Sequence, residues 1–182
     1  MDEVRKTIIP PYQEQVQRLV SAAQLAGRRD GKKRAVVIYG LINIRSFFKA
    51  RDECERRRLA HPGLFPNLSD AERDFWTLAR VHRPLLAAAA DELNRGLRQM
   101  VEDINWYQPD HFPDVQLSFA DTLSKMETSR CELLNEYDAW HPSNLGRSAI
   151  AGEILRGMRP ALSWLGYDVP EPPPQSAPTL SK

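Results

Sequence analysis

The sequence predicts an α/β domain built on parallel strands. Ala35–Tyr39 is a short apolar, β-branched run between a charged loop and Gly40, the pattern of a buried strand. Val115, Leu117 and Phe119 alternate with Gln116 and Ser118, the pattern of a half-exposed strand. Between them a long apolar stripe at helical spacing separates the two. Strands separated by helices favour parallel pairing in one layered domain. Two clear strands are too few for an independent sheet, so a partner or a further segment is expected to complete it.

Element by element, Val16, Leu19, Val20, Ala23 and Ala26 predict an amphipathic helix over 12–26. Pro10 and Pro11 precede it, where proline is tolerated. Gly27 to Arg34 reads as a polar loop bounded by glycines, and it leads into the first strand. A helix is predicted over 47–59, its arginine run forming a solvated face paired with its own acids. His61 to Asn67 reads as a loop from its proline and glycine content. Ser69 with Glu72 forms a capping box that opens a long helix at Asp70, with an interruption expected at Pro84. Its core stripe is Leu86, Ala90, Leu93, Leu97, Met100 and Ile104, and Tyr107 to Pro113 ends it. After the second strand, a loop-rich stretch reaches Asp138. Ile150, Ile154, Met158, Leu162 and Leu165 then mark a last helix. The domain is expected over 1–169, with a proline-rich, disordered tail over 170–182.

Composition narrows the function classes. The chain has 182 residues, 25 Lys and Arg against 24 Asp and Glu, and a net charge of +1. That balance gives no reason to expect a nucleic-acid partner or an anionic membrane. No apolar run approaches the ~20 residues that span a bilayer. His61, His82 and His111 lack the spacing of a metal site, so no metal and no cofactor are expected. Trp76, Trp106, Trp140 and Trp164 are expected to pack in the core or at its rim, with Trp140 also able to line a cleft. Cys54 and Cys131 are expected as free thiols in a cytoplasmic chain, and as a pair only if the protein is exported.

One segment carries chemistry. Tyr137-Asp-Ala-Trp-His-Pro-Ser-Asn-Leu-Gly-Arg147 places Asp138 three residues before His141, just ahead of a helix. A carboxylate at that spacing can orient an imidazole, which can then take a proton from a hydroxyl. Asp-x-x-His-Pro-Ser followed by Gly and an Ile-Ala helix start resembles the last motif of the SGNH (GDSL-type) lipase and acylhydrolase family. The strand and turn Val36-Val-Ile-Tyr-Gly-Leu-Ile-Asn43 resembles the family's Gly-x-Asn-Asp turn, but with two residues between Gly40 and Asn43, and Ile44 in place of the Asp.

The resemblance runs from about Val16 to Gly166. It implies a three-layer α/β/α sandwich with a parallel sheet. It also implies Asp138 and His141 as base dyad, Asn43 and Gly40 as oxyanion donors, and an ester or lipid-like substrate. The family's Gly-Asp-Ser nucleophile motif occurs nowhere in the chain. Ser21 is expected to pack or face solvent, and Ser46 and Ser143 lack the strained turn that presents a nucleophile, so no serine is assigned. The expectation is a GDSL-type ester hydrolase, or the C-terminal portion of one that begins after the family's first strand and would be secreted if a signal segment precedes it. The alternative is a non-catalytic binding or scaffold protein that associates through an unfinished sheet edge.

Overall fold

The structure, a computed structural model, describes the backbone of residues 4–61, 70–107, 114–135 and 141–170, and their side chains except those of 4, 5, 70–79 and 107. A π-helical turn, Val4–Ile8, leads into α1, Ile9–Asp30. β1 is Arg34–Tyr39, α2 is Ile44–Ala60 and α3 is Asp70–Tyr107. β2, Val115–Ala120, is followed by the short α4, Thr122–Lys125, and a 3-10 turn at Cys131–Leu133. The last helix is α5, Asn144–Trp164.

β1 and β2 pair in parallel, with Arg34 opposite Val115 and Tyr39 opposite Ala120. The chain is therefore mostly helical with a small two-stranded parallel sheet, an α/β arrangement in the general sense. Val36, Ile38, Leu117 and Phe119 turn one face of the sheet toward α1 and α3. Val16 and Val20 meet Ile38, Leu97, Met100, Val101 and Ile104 there in the main core. α5 packs on the other face. Gly157 lets it approach so closely that a Cβ would come within 2.7 Å of the Tyr39 ring. The Tyr39 hydroxyl donates to the Ile154 carbonyl at 2.6 Å, fixing the helix against the strand end. A second, smaller cluster gathers Phe47, Phe48 and Ala50 of α2 around Cys54, Cys131 and Leu134.

Several expectations need correction. α1 runs past the expected loop start at Gly27, which is buried inside the helix. A Cβ there would stand 3.1 Å from the Lys32 carbonyl, so the glycine serves the close return of the chain. The helix stops instead at Gly31, whose φ of 67° is the left-handed cap glycine adopts without strain, its N–H donating to Gly27. α3 passes through Pro84 without interruption. Ion pairs to α2 hold it before the proline, Arg80 to Glu55 and Arg83 to Asp52, and after it, Asp91 to Arg45. The arginine-rich face of α2 is accordingly not paired only within itself, and Arg51 is buried.

Leu86 is 44% exposed, so the core face of α3 begins after it. Trp106 is 79% exposed and packs in neither core nor rim. The loop-rich stretch after β2 contains both α4 and the 3-10 turn. The Ser69 cap, the loop at 62–67, His111, the Trp76 side chain and the tail at 171–182 lie outside the described residues. No helix among the described residues is long and apolar enough to cross a membrane.

Candidate active site

The turn Gly40–Asn43 leaves the carboxyl end of β1, the end where open α/β sheets bind ligands. Three bonds fix it. The Gly40 N–H donates to the Ala120 carbonyl at 3.0 Å, extending the strand ladder by one step. The Leu41 N–H donates to Asn94 Oδ1 of α3 at 2.6 Å, and the Asn43 N–H donates to the Leu123 carbonyl of α4 at 3.0 Å. A Cβ on Gly40 would stand 2.9 Å from that same Asn94 oxygen, so the glycine leaves room for the Asn94 side chain. Of the two expected oxyanion donors, Gly40 has its N–H committed to the ladder and offers none in this structure.

Asn43 is the N-cap of α2. Its Oδ1 accepts the Ser46 N–H at 3.1 Å, satisfying one of the donors a helix start leaves open. Its Nδ2 makes no hydrogen bond among the described residues. The cap thus holds the amide by its oxygen and leaves the nitrogen to donate.

His141 lies on a short return strand of backbone. The Asn135 N–H donates to the His141 carbonyl at 2.8 Å, Leu134 and Pro142 form an antiparallel bridge, and the Ser143 N–H donates to the Leu133 carbonyl at 2.9 Å. The contact is so close that a Cβ on Gly146 would stand 2.1 Å from the Leu133 carbonyl oxygen. His141 is exposed. Asp138 and Trp140 lie outside the described residues, so the dyad partner has no described geometry.

The serines near the motifs have structural tasks. Ser143 caps α5, accepting the Gly146 N–H at 3.1 Å while its hydroxyl donates to the Glu132 carbonyl at 2.6 Å. Ser46 is 2% exposed; its hydroxyl donates to the Glu127 carboxylate and accepts the Thr128 N–H at 2.7 Å. The Ser46 hydroxyl, with help from Ser129, holds the Glu127 carboxyl below its ordinary range. Ser21 faces solvent on α1. None of the three stands on a strained turn that would present a nucleophile.

Between the two segments lies a cavity of about 250 Å³. Ile42 and Ile44, the neighbours of Asn43, form one wall with Phe47. Pro142, next to His141, forms the other with Leu134 and Ile150. The turn that carries Asn43 and the loop that carries His141 therefore border one space. Met126, Thr128, Leu133 and Leu134 also line it, from the stretch read in sequence as loop. Nothing in their spacing marks them, because an irregular segment has no period.

Cys54 and Cys131 are joined in a disulfide, with Cα atoms 4.9 Å apart across 77 residues of sequence. This corrects the expectation of free thiols. The hydrophobic cluster brings α2 and the 3-10 turn into bridging range, a distance sequence could not supply. The bond ties the helix capped by Asn43 to the backbone that pairs with His141. Beside it Arg57 joins Glu53 of its own helix to Glu132 of the 3-10 turn, the latter at 2.7 Å. Burial disfavours the Glu132 charge, but a backbone N–H and Arg57 outweigh it, and the carboxyl is held below its ordinary range.

Among the described residues no group of three His, Cys, Asp or Glu side chains could hold a metal ion. No family model, curated protein or solved structure matches the chain.

Proposed function

We propose that this chain forms the base-bearing part of an SGNH-type ester hydrolase. The observation that carries the proposal is the shared cavity, walled by the neighbours of Asn43 on one side and of His141 on the other. In this reading the family's three-layer sandwich is completed by strand pairing at the outer edge of β1. A strand added there would bring the nucleophilic serine to the carboxyl end of the sheet. The serine hydroxyl gives its proton to His141 as its oxygen attacks the ester carbonyl, and Asp138 orients the imidazole. Asn43 Nδ2 donates to the oxyanion. His141 returns the proton to the departing alcohol, and water, activated by the same histidine, releases the acid. The reaction calls for no cofactor.

The test is kinetic. The 182-residue chain alone is expected to hydrolyse p-nitrophenyl butanoate at background rate, since losing one triad member removes nearly the whole triad effect. A longer product of the same reading frame that carries Gly-Asp-Ser is expected to be active. In it, His141→Ala should remove the activity. Asn43→Asp, which keeps the capping oxygen and removes the amide donor, should cost about 10²–10³-fold in kcat with folding intact. Full activity in His141→Ala would refute the assignment.

Among the described residues the outer edge of β1 has no strand partner, which favours a second reading, a non-catalytic protein that pairs with another chain there. An in-frame stop immediately upstream in the coding DNA would support it.

A further inference from the structure

The cavity has a chemistry that neither candidate catalytic residue explains. Among the described residues its lining holds no charged side chain, and Ile42, Ile44, Phe47, Leu134, Pro142 and Ile150 make it almost wholly apolar. Thr128 brings the one side-chain hydroxyl to the lining, and Asn43 and His141 adjoin lining residues in sequence. A space that is mostly apolar, with polar residues adjoining its walls, fits a ligand with an aliphatic body and one polar end. The volume sets the length. A cavity of about 150 Å³ takes benzene, so the ~250 Å³ here takes a chain of about eight carbons. Met126 in the wall is unbranched and adapts its shape to such a chain. The walls come from Ile42 and α2, from the chain between Met126 and Leu134, and from Pro142 and α5, and the disulfide and the Leu134–Pro142 bridge hold them together.

We infer that this cavity binds the acyl chain of the substrate, a straight aliphatic chain of about six to eight carbons. The inference rests on the ester-hydrolase reading for the identity of the chain as an acyl group. The binding itself is independent of catalysis.

The experiment is an NMR titration of the 182-residue chain, labelled at Ile and Met methyl groups. The probes are butanoate, hexanoate, octanoate and dodecanoate, each below its micelle concentration. Methyl signals of Ile42, Ile44, Ile150 and Met126 should shift and saturate. Those of Ile9 and Met100 should not, because they line a second cavity, of about 330 Å³, that also contains Arg95, Gln99 and Asp103. Affinity should rise about fourfold per methylene up to octanoate and then level off, since carbons beyond the cavity gain no burial. Ile150→Trp should abolish the shifts by filling the space. Ile42→Trp should do so from the opposite wall, so the result does not depend on one variant folding, and circular dichroism reports the fold of each.

Absence of saturable shifts at these methyls would overturn the inference. So would affinity that keeps rising through dodecanoate and survives both tryptophans, which is adsorption to surface. Binding with a length limit, but no hydrolysis in any longer form, would sink the ester reading and keep the chain-binding cavity. Hydrolysis of acetyl esters without octanoate binding would do the reverse.

Discussion

Asp30 shows how a single side chain closes an element. It ends α1, accepts from Arg34 Nη1 and Nη2 at 3.1 and 2.6 Å, and accepts the Lys32 N–H at 3.1 Å. The Arg34 side chain, and then the Lys32 N–H, lower its carboxyl from 3.8 to about 2. A carboxylate held low in the folded state stabilises it above the unfolded value and loses that contribution as pH falls through the folded one. The window here is pH 3.8 down to about 2. Urea midpoints should therefore fall more steeply across that window in the natural chain than in Asp30→Asn. The pair is exposed to solvent, so the difference is small and shrinks with added salt. Equal slopes would show that the pair contributes nothing to folding. Asn43 and Ser143 work on the same scale as caps. Both residue types suit a helix start, but their capping roles came from the structure, as did the apolar wall beside Asn43.

At the scale of elements, the disulfide joins a helix to an irregular segment far along the chain. In the chain-entropy account, a closed loop of this length stabilises by about 4–5 kcal/mol, and measured values more often fall at 2–4. Both cysteines are buried, at 1% and 8% exposure. The double variant Cys54→Ala, Cys131→Ala should lose about 2–4 kcal/mol in urea denaturation. Dithiothreitol should lower the midpoint of the natural chain and leave that of the variant unchanged. A natural midpoint indifferent to reductant would mean the thiols are not joined. The helical elements were legible because their apolar residues recur at 3.6 spacing, most clearly from Ala90 to Ile104. Their ends were less so: the Gly27 reading failed because a glycine marks a loop and a close approach with the same letter.

At the scale of the molecule, no strand among the described residues pairs with the outer side of β1. Arg34 and Gly40 donate to the carbonyls of Asp114 and Ala120, six residues apart on each strand. The ladder repeats every two residues, so the N–H groups of Val36 and Ile38 also point to β2, and those of Ala35, Val37 and Tyr39 point to the open edge. Hydrogen exchange should follow that alternation, slow at Val36 and Ile38 and faster at Ala35, Val37 and Tyr39. In any form where a strand is added, the three edge amides should become protected. Uniform exchange along β1 in the isolated chain would mean that the edge is already covered. This edge is also where the proposed serine would arrive, so protection and ester hydrolysis should appear together.

The two strands and the long helices, in their order, followed from the sequence alone, because local periodicity acts between residues a few positions apart. The parallel pairing followed from that order, since a helix between two strands of one sheet returns the chain to its starting end. Only the tertiary structure decided that α2, α5 and the turn at Cys131 enclose one apolar cavity, that the cysteines meet, and that Gly40 has its N–H taken by the neighbouring strand. Each depends on contacts across many tens of residues, and the packing of side chains over such distances leaves no periodic trace in the chain.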